Sequence, residues 1–90
     1  MAKSLKAKVT SALQEAVGRD AQIELEVVPG GDIVGHVLSR TFARESGTER
    51  QDRIWKVLDR RLTRPERRRV TFIVTDTPRE YAVLKKAAAE

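Results

Sequence analysis

Two short β-branched runs, Ile33–Ser39 (IVGHVLS) and Val70–Thr75 (VTFIVT), stand on either side of a helical stretch, and this spacing constrains the chain more than any other feature. Strands separated by a helical crossing can lie parallel, with a right-handed connection. The helix between them is well specified by its own residues. Thr48, followed three residues later by Gln51, has the form of a capping box just after Gly47, which predicts Thr48 as the N-cap and Gln51 as its partner. From there Ile54, Leu58 and Leu62 fall on one stripe, with Val57 and Trp55 at its edges. Glu49, Asp52, Arg53, Lys56, Asp59 and Arg60 take the other side, and Glu49–Arg53 and Asp52–Lys56 are spaced as i,i+4 pairs with the acid first.

The remaining elements follow from periodicity and punctuation. Apolar residues recur at helical spacing from Ser4 to Val17 and stop at Gly18. Gln22–Val28 alternates strictly, with Ile23, Leu25 and Val27 on one side and Gln22, Glu24 and Glu26 on the other. Pro29-Gly30-Gly31-Asp32 turns it into the Ile33–Ser39 strand, which is apolar on both faces and therefore expected at the centre of the sheet. Thr41–Glu45 allows an extra short helix, and Thr63–Glu66 marks a turn or one more helical turn. Thr77-Pro78-Arg79-Glu80 is a capping box with proline at the first helical position, opening a last helix through Tyr81, Leu84 and Ala88. The expectation is one α+β domain over residues 1–90, in the order α-β-β-α-(α)-β-α, with a mixed three-stranded sheet packed against helices. Its expected core is Leu5, Val9, Leu13, Ile23, Leu25, Val27, Val37, Phe42, Ile54, Leu58, Phe72, Val74 and Leu84.

Ninety residues bury only about 60–65% of the surface of their unfolded chain, so this core must be compact. The absence of cysteine excludes disulfides, zinc–thiolate sites and a thiol nucleophile. MAKSLKAKVT lacks the apolar centre of a signal peptide, and no apolar run approaches the ~18 residues of a membrane span, so a cytoplasmic protein without a membrane partner is expected.

The net charge of +5 is unevenly placed. Residues 40–69 hold eleven Lys or Arg against five acids, an excess of six, while the rest of the chain holds seven against eight. Such a footprint suits an anionic partner, and it equally suits a solvated, salt-bridged face. Arg53, Lys56 and Arg60 form one helical stripe that Arg64, Arg67, Arg68 and Arg69 continue, an arrangement able to track the phosphates of DNA or RNA. Asp52 and Asp59 interrupt it, no Gly-x-x-Gly loop is present, and aromatics for stacking on bases are scarce, so binding is expected to be led by phosphate contacts. His36, the only histidine, sits mid-strand in the pattern with Val34 and Leu38 and reads as a packed or partly exposed strand residue. Glu24 and Glu26 read as surface charge. No catalytic set, phosphate loop, metal-ligand set or cofactor motif is legible, and no enzyme is expected.

Several motifs together resemble the BolA-like family, small proteins whose fold is akin to one variety of the KH domain. The resemblance runs from Ser39 to Tyr81: Ser39 with Phe42 three later, then Arg50, Ile54, Trp55 and Leu58, then Thr77, Pro78, Glu80 and Tyr81. It implies a regulatory protein of the stress-response or transcriptional type that binds nucleic acid, or alternatively an adaptor for a monothiol glutaredoxin in iron–sulfur cluster handling. The chain departs from the family's pattern where ligands to the cluster are expected. The histidine after the central arginine is Gln51 here, the turn that carries the second ligand is Pro29-Gly30-Gly31-Asp32, and the glycine two after the phenylalanine is Arg44.

Overall fold

Ser4 opens the first helix, its hydroxyl accepting from the Ala7 amide, and Gly18 closes it at φ 92°. The computed structural model describes residues 4–89. Helix α1 (Leu5–Val17) leads into strands β1 (Gln22–Val27) and β2 (Ile33–Leu38), a 3-10 turn at Arg40–Arg44, and helix α2 (Gly47–Arg61). Helix α3 (Arg64–Arg69), strand β3 (Val70–Asp76) and helix α4 (Pro78–Ala89) complete the order. The sheet runs β1-β2-β3, with β1 antiparallel and β3 parallel to the central β2. This is the expected α+β architecture, and the short extra helices fall where the turn residues allow them. Among the described residues no helix is long and apolar enough to cross a membrane.

One face of the sheet is covered by α1 and α2. Ile33 and Val37 of β2 and Val70 and Ile73 of β3 meet Val9, Leu13, Phe42, Ile54 and Leu58 in the core. Leu5, Ile23 and Leu25 are partly buried against it, as their periodicity required. Residue 35 of the same inward row is a glycine, where a Cβ would run into the Leu25 side chain.

Four expected core residues lie elsewhere: Val27 is 53% exposed, Phe72 59% and Leu84 59%, and Val74 is half-buried on the other face of the sheet. Val27 ends β1 at the turn, beyond the reach of the helices, and Leu84 lies on a helix that packs through its first turns only. Phe72 has a more specific cause. A bulge at the start of the β2–β3 pairing makes Ile33 face Val70 and Val34 face Phe72, so the inward residues of β3 are Val70 and Ile73. The extra residue, Thr71, reverses the side on which Phe72 and Val74 emerge.

The α2 cap also differs from the expected one. Ser46 is the N-cap, its Oγ accepting from the Glu49 amide while Glu49 Oε1 accepts from the Ser46 amide. Glu49 is therefore occupied with the cap, not with Arg53. Gln51 is freed for another role. Its Nε2 donates to the Ile73 carbonyl at 2.9 Å and its Oε1 accepts from Trp55 Nε1 at 2.8 Å.

Phe42, Thr77 and Glu80 are gathered around one buried guanidinium, that of Arg50. Arg50, 8% exposed, donates to the carbonyls of Phe42, Glu45 and Thr75 and forks onto both oxygens of Glu80. Glu80 is itself half of the α4 capping box, accepting from the Thr77 amide at 2.7 Å. Ser39 caps the 3-10 turn that delivers Phe42. One arginine thus joins the turn, α2, β3 and α4.

Candidate nucleic-acid interface

The cations of residues 53–69 divide into those held by the fold and those left to solvent. Arg53 reaches back to Glu45 at 3.1 Å and Thr41 Oγ1 at 2.7 Å, and lies over the Phe42 ring. Arg60 meets Glu15 of α1 at 3.3 Å, and Arg61 binds both oxygens of the same carboxylate. Arg61's hydrogen bonds hold the Glu15 carboxyl below its usual range. Arg67 pairs with Asp59 at 2.6 Å while its guanidinium covers the Trp55 ring at 4.0 Å. Arg69 donates to the carbonyls of Gly30 and Gly31 in the β1–β2 turn.

Lys56, Arg64 and Arg68 are different. All three are exposed, and none has an ion pair or side-chain hydrogen bond among the described residues. Thr63 and Glu66 close a capping box at the start of α3, which sets Arg64 and Arg68 one turn apart on the same side. Glu66 also takes Lys8 at 2.7 Å, so it does not neutralise that side. Arg64, Arg67 and Arg68 line a shallow cleft of about 300 Å³ with Asp59 and Leu62. Of the cations around it, Arg60, Arg61 and Arg67 pair with two carboxylates, Glu15 and Asp59, while Lys56, Arg64 and Arg68 add to the positive surplus.

The basic stripe read from the sequence is therefore brought together only in part. Its α2 members Arg53 and Arg60 are tied inward or toward α1, and its free charge is concentrated at the α2–α3 corner. Glu15, which fastens Arg60 and Arg61, stands more than forty residues away in sequence and left no local signal. Trp55 has one face under Arg67 and is not an open stacking surface.

His36 lies on the opposite face of the sheet. Its Nε2 is 2.7 Å from Asp76 Oδ2, and its ring stacks on Tyr81 with centroids 5.0 Å apart. His36 and Tyr81 border a cleft of about 360 Å³ lined also by Gln22, Glu24, Leu38 and Lys85. The arrangement fastens the start of α4 to the sheet.

The residues at the positions of the family's cluster ligands do not fit an iron–sulfur group. Gln51 is a carboxamide committed on both ends, to Ile73 and Trp55, and the β1–β2 turn supplies neither imidazole nor thiolate. Comparison with protein-family models, curated proteins and solved structures finds no match to the chain.

Proposed function

We propose that this is a BolA-like, non-enzymatic regulatory domain that binds nucleic acid at the α2–α3 corner, with Lys56, Arg64 and Arg68 as the primary phosphate contacts. The observation that carries the reading is the set of three unpaired, exposed cations beside a cluster whose other arginines are already held in place. Each cation that meets a phosphate releases counterions, so affinity falls steeply with salt and carries little sequence preference. Arg60, Arg67 and Arg69 extend the field without being free to follow a backbone.

The test is fluorescence anisotropy of a labelled DNA duplex over a salt series. Changing Lys56, Arg64 and Arg68 together to Gln is expected to lower the log–log salt slope by about three. Thermal stability should stay close to the parent's, because none of the three is buried or paired. Absence of binding at low salt, or an unchanged slope in the triple variant, rejects the reading.

A second reading, an adaptor for a monothiol glutaredoxin, is favoured by Val83 and Leu84, which α4 holds 64% and 59% exposed. It involves no cluster ligand from Gln51. A change in the visible spectrum of a [2Fe-2S]-loaded monothiol glutaredoxin on mixing, lost in Val83→Ser with Leu84→Ser, supports it, and an unchanged spectrum rejects it.

A further inference from the structure

The outer face of the sheet is ordered in three cross-strand rows. Nearest the β1–β2 turn, Glu26, Val34 and Phe72 lie side by side; next come Glu24, His36 and Val74; last come Gln22, Leu38 and Asp76. Helix α4 folds back over the second and third rows through Tyr81, which stacks on His36. The first row is left open, and Phe72 stands in it 59% exposed. The other aromatic side chains are buried or half-buried: Phe42 is in the core, Trp55 lies under Arg67, and Tyr81 lies against His36.

A large apolar ring left in water by a small domain calls for an occupant, and its surroundings narrow the choice. Arg68, one of the unpaired cations, is four residues before Phe72, so no more than about 15 Å separates their Cα atoms. Past the far end of β3, the helix that follows carries Arg79 and Lys86, both exposed and without ion pairs among the described residues. The open ring of Phe72 thus follows a helix with free cations, while the one acid of β3 on this face, Asp76, is held by His36 at the other end of the strand. On β1, two strands away, Glu24 and Glu26 project from the same face and repel phosphate. A polyanion with flat apolar groups therefore follows β3 and α3 and avoids β1.

We infer that Phe72 is a stacking platform for a base of single-stranded nucleic acid whose phosphates are held at Arg64 and Arg68. The inference rests on the nucleic-acid reading above and narrows it from polyanions in general to unpaired strands. In a duplex the base faces are already stacked on one another, so Phe72 has nothing to offer there. A single strand presents one face per nucleotide, and stacking on an aromatic side chain is tolerant of sequence.

The experiment compares a labelled oligothymidylate and an oligouridylate of about a dozen nucleotides each with a duplex of the same length. The proteins are the full chain, Phe72→Ala, Phe72→Trp, and Arg64→Gln with Arg68→Gln. Phe72→Ala is expected to weaken single-strand binding about tenfold while leaving duplex binding within twofold, and Phe72→Trp to keep or improve it. Unequal affinity for the two oligonucleotides, with Phe72→Ala weakening both, supports the platform and says which sugar is preferred. If Phe72→Ala binds both single strands as well as the parent, while the double arginine variant loses duplex and single strand alike, the platform is overturned and the charge reading stands. If the parent binds neither form at low salt, both fall. A Phe72-dependent dimer in sedimentation without oligonucleotide binding also overturns it, by giving the ring to a second copy of the chain.

Discussion

Arg50 and Glu80 meet as two parallel bonds, Nη1 to Oε1 at 2.7 Å and Nη2 to Oε2 at 3.2 Å, across thirty residues of chain. The arginine sits in the interior with three backbone carbonyls, and the glutamate sits at the rim closing the cap of α4. A residue that composition counts among the basic surface is thus a structural tie.

Arg50→Ala leaves the carbonyls of Phe42, Glu45 and Thr75 short of this donor, and should cost about 2–4 kcal/mol in urea unfolding. Arg50→Lys should recover little, since an ammonium cannot fork onto Glu80 while reaching the carbonyls. Full recovery by lysine would mean that charge, and not the planar fork, holds the node.

The two best-held carboxylates set the acid limit of the fold. Hydrogen bonds from Arg50 and then from the Thr77 amide take Glu80 from the usual 4.5 to about 2. Bonds from Lys8 and then from the Thr63 amide do the same for Glu66, also to about 2. Both values are depressed by folding, so their stabilisation is complete above about 4.5 and drains away as pH falls toward about 2. The urea midpoint should fall across that window, and less steeply in Glu80→Gln. Parallel curves for parent and variant would show that Glu80 contributes nothing to it.

The register of β3 gives a sharp contrast. Ile73→Ala removes a buried side chain, 3% exposed, and should cost about 2–4 kcal/mol, as should Ile54→Ala. Phe72→Ala next door should cost less than about 1 kcal/mol, because most of its ring is already in water. Equal losses at residues 72 and 73 would contradict the bulge.

Gly31 and Arg69 should behave as a coupled pair. Gly31 has φ 92°, and a Cβ there would run into the Arg69 guanidinium. Gly31→Ala should cost about 1–2 kcal/mol, from left-handed strain and the loss of Arg69's bonds to the turn. In Arg69→Ala the same change should cost less, with strain alone remaining. Gly30→Ala, where φ is 99° and the space is open, should be indifferent to Arg69. Additive losses at 31 and 69 in a double-mutant cycle would sink the coupling.

Local chemistry made most of the fold legible. Ile54, Leu58 and Leu62 mark the buried stripe of α2 because helical spacing fixes which side chains share a face. The alternation in β1 and the doubly apolar β2 placed both strands correctly, and Thr77-Pro78-Arg79-Glu80 starts α4 as its cap pattern says. What failed was decided between elements. Ser46-x-x-Glu49 and Thr48-x-x-Gln51 are both capping patterns, and the choice falls on the first because Gln51 is drawn to the Ile73 carbonyl. Phe72 and Val74 alternate as a core pair would, and only the pairing with β2 shows that Thr71 is an extra residue. The candidate site was legible as charge and not as geometry. Sequence spacing put Arg53 and Arg60 in line with Lys56, but Glu45 draws Arg53 inward and Glu15 turns the still exposed Arg60 toward α1, both carboxylates contributed by other segments.

The position of Gln51 has a bearing on self-assembly. In β3 the Asp76 carbonyl points inward to the Ser39 amide, so the carbonyls of Ile73 and Thr75 point to the free margin of the sheet. Gln51 and Arg50 occupy those two carbonyls. A strand from another molecule arriving there finds its acceptors taken and a helix in the way. At the opposite margin, an antiparallel copy of β1 would bring Glu24 and Glu26 against their own images, where like charges face each other. One border has its acceptors occupied and the other sets like charges against each other, so neither unfinished side of the three-stranded sheet invites a further strand.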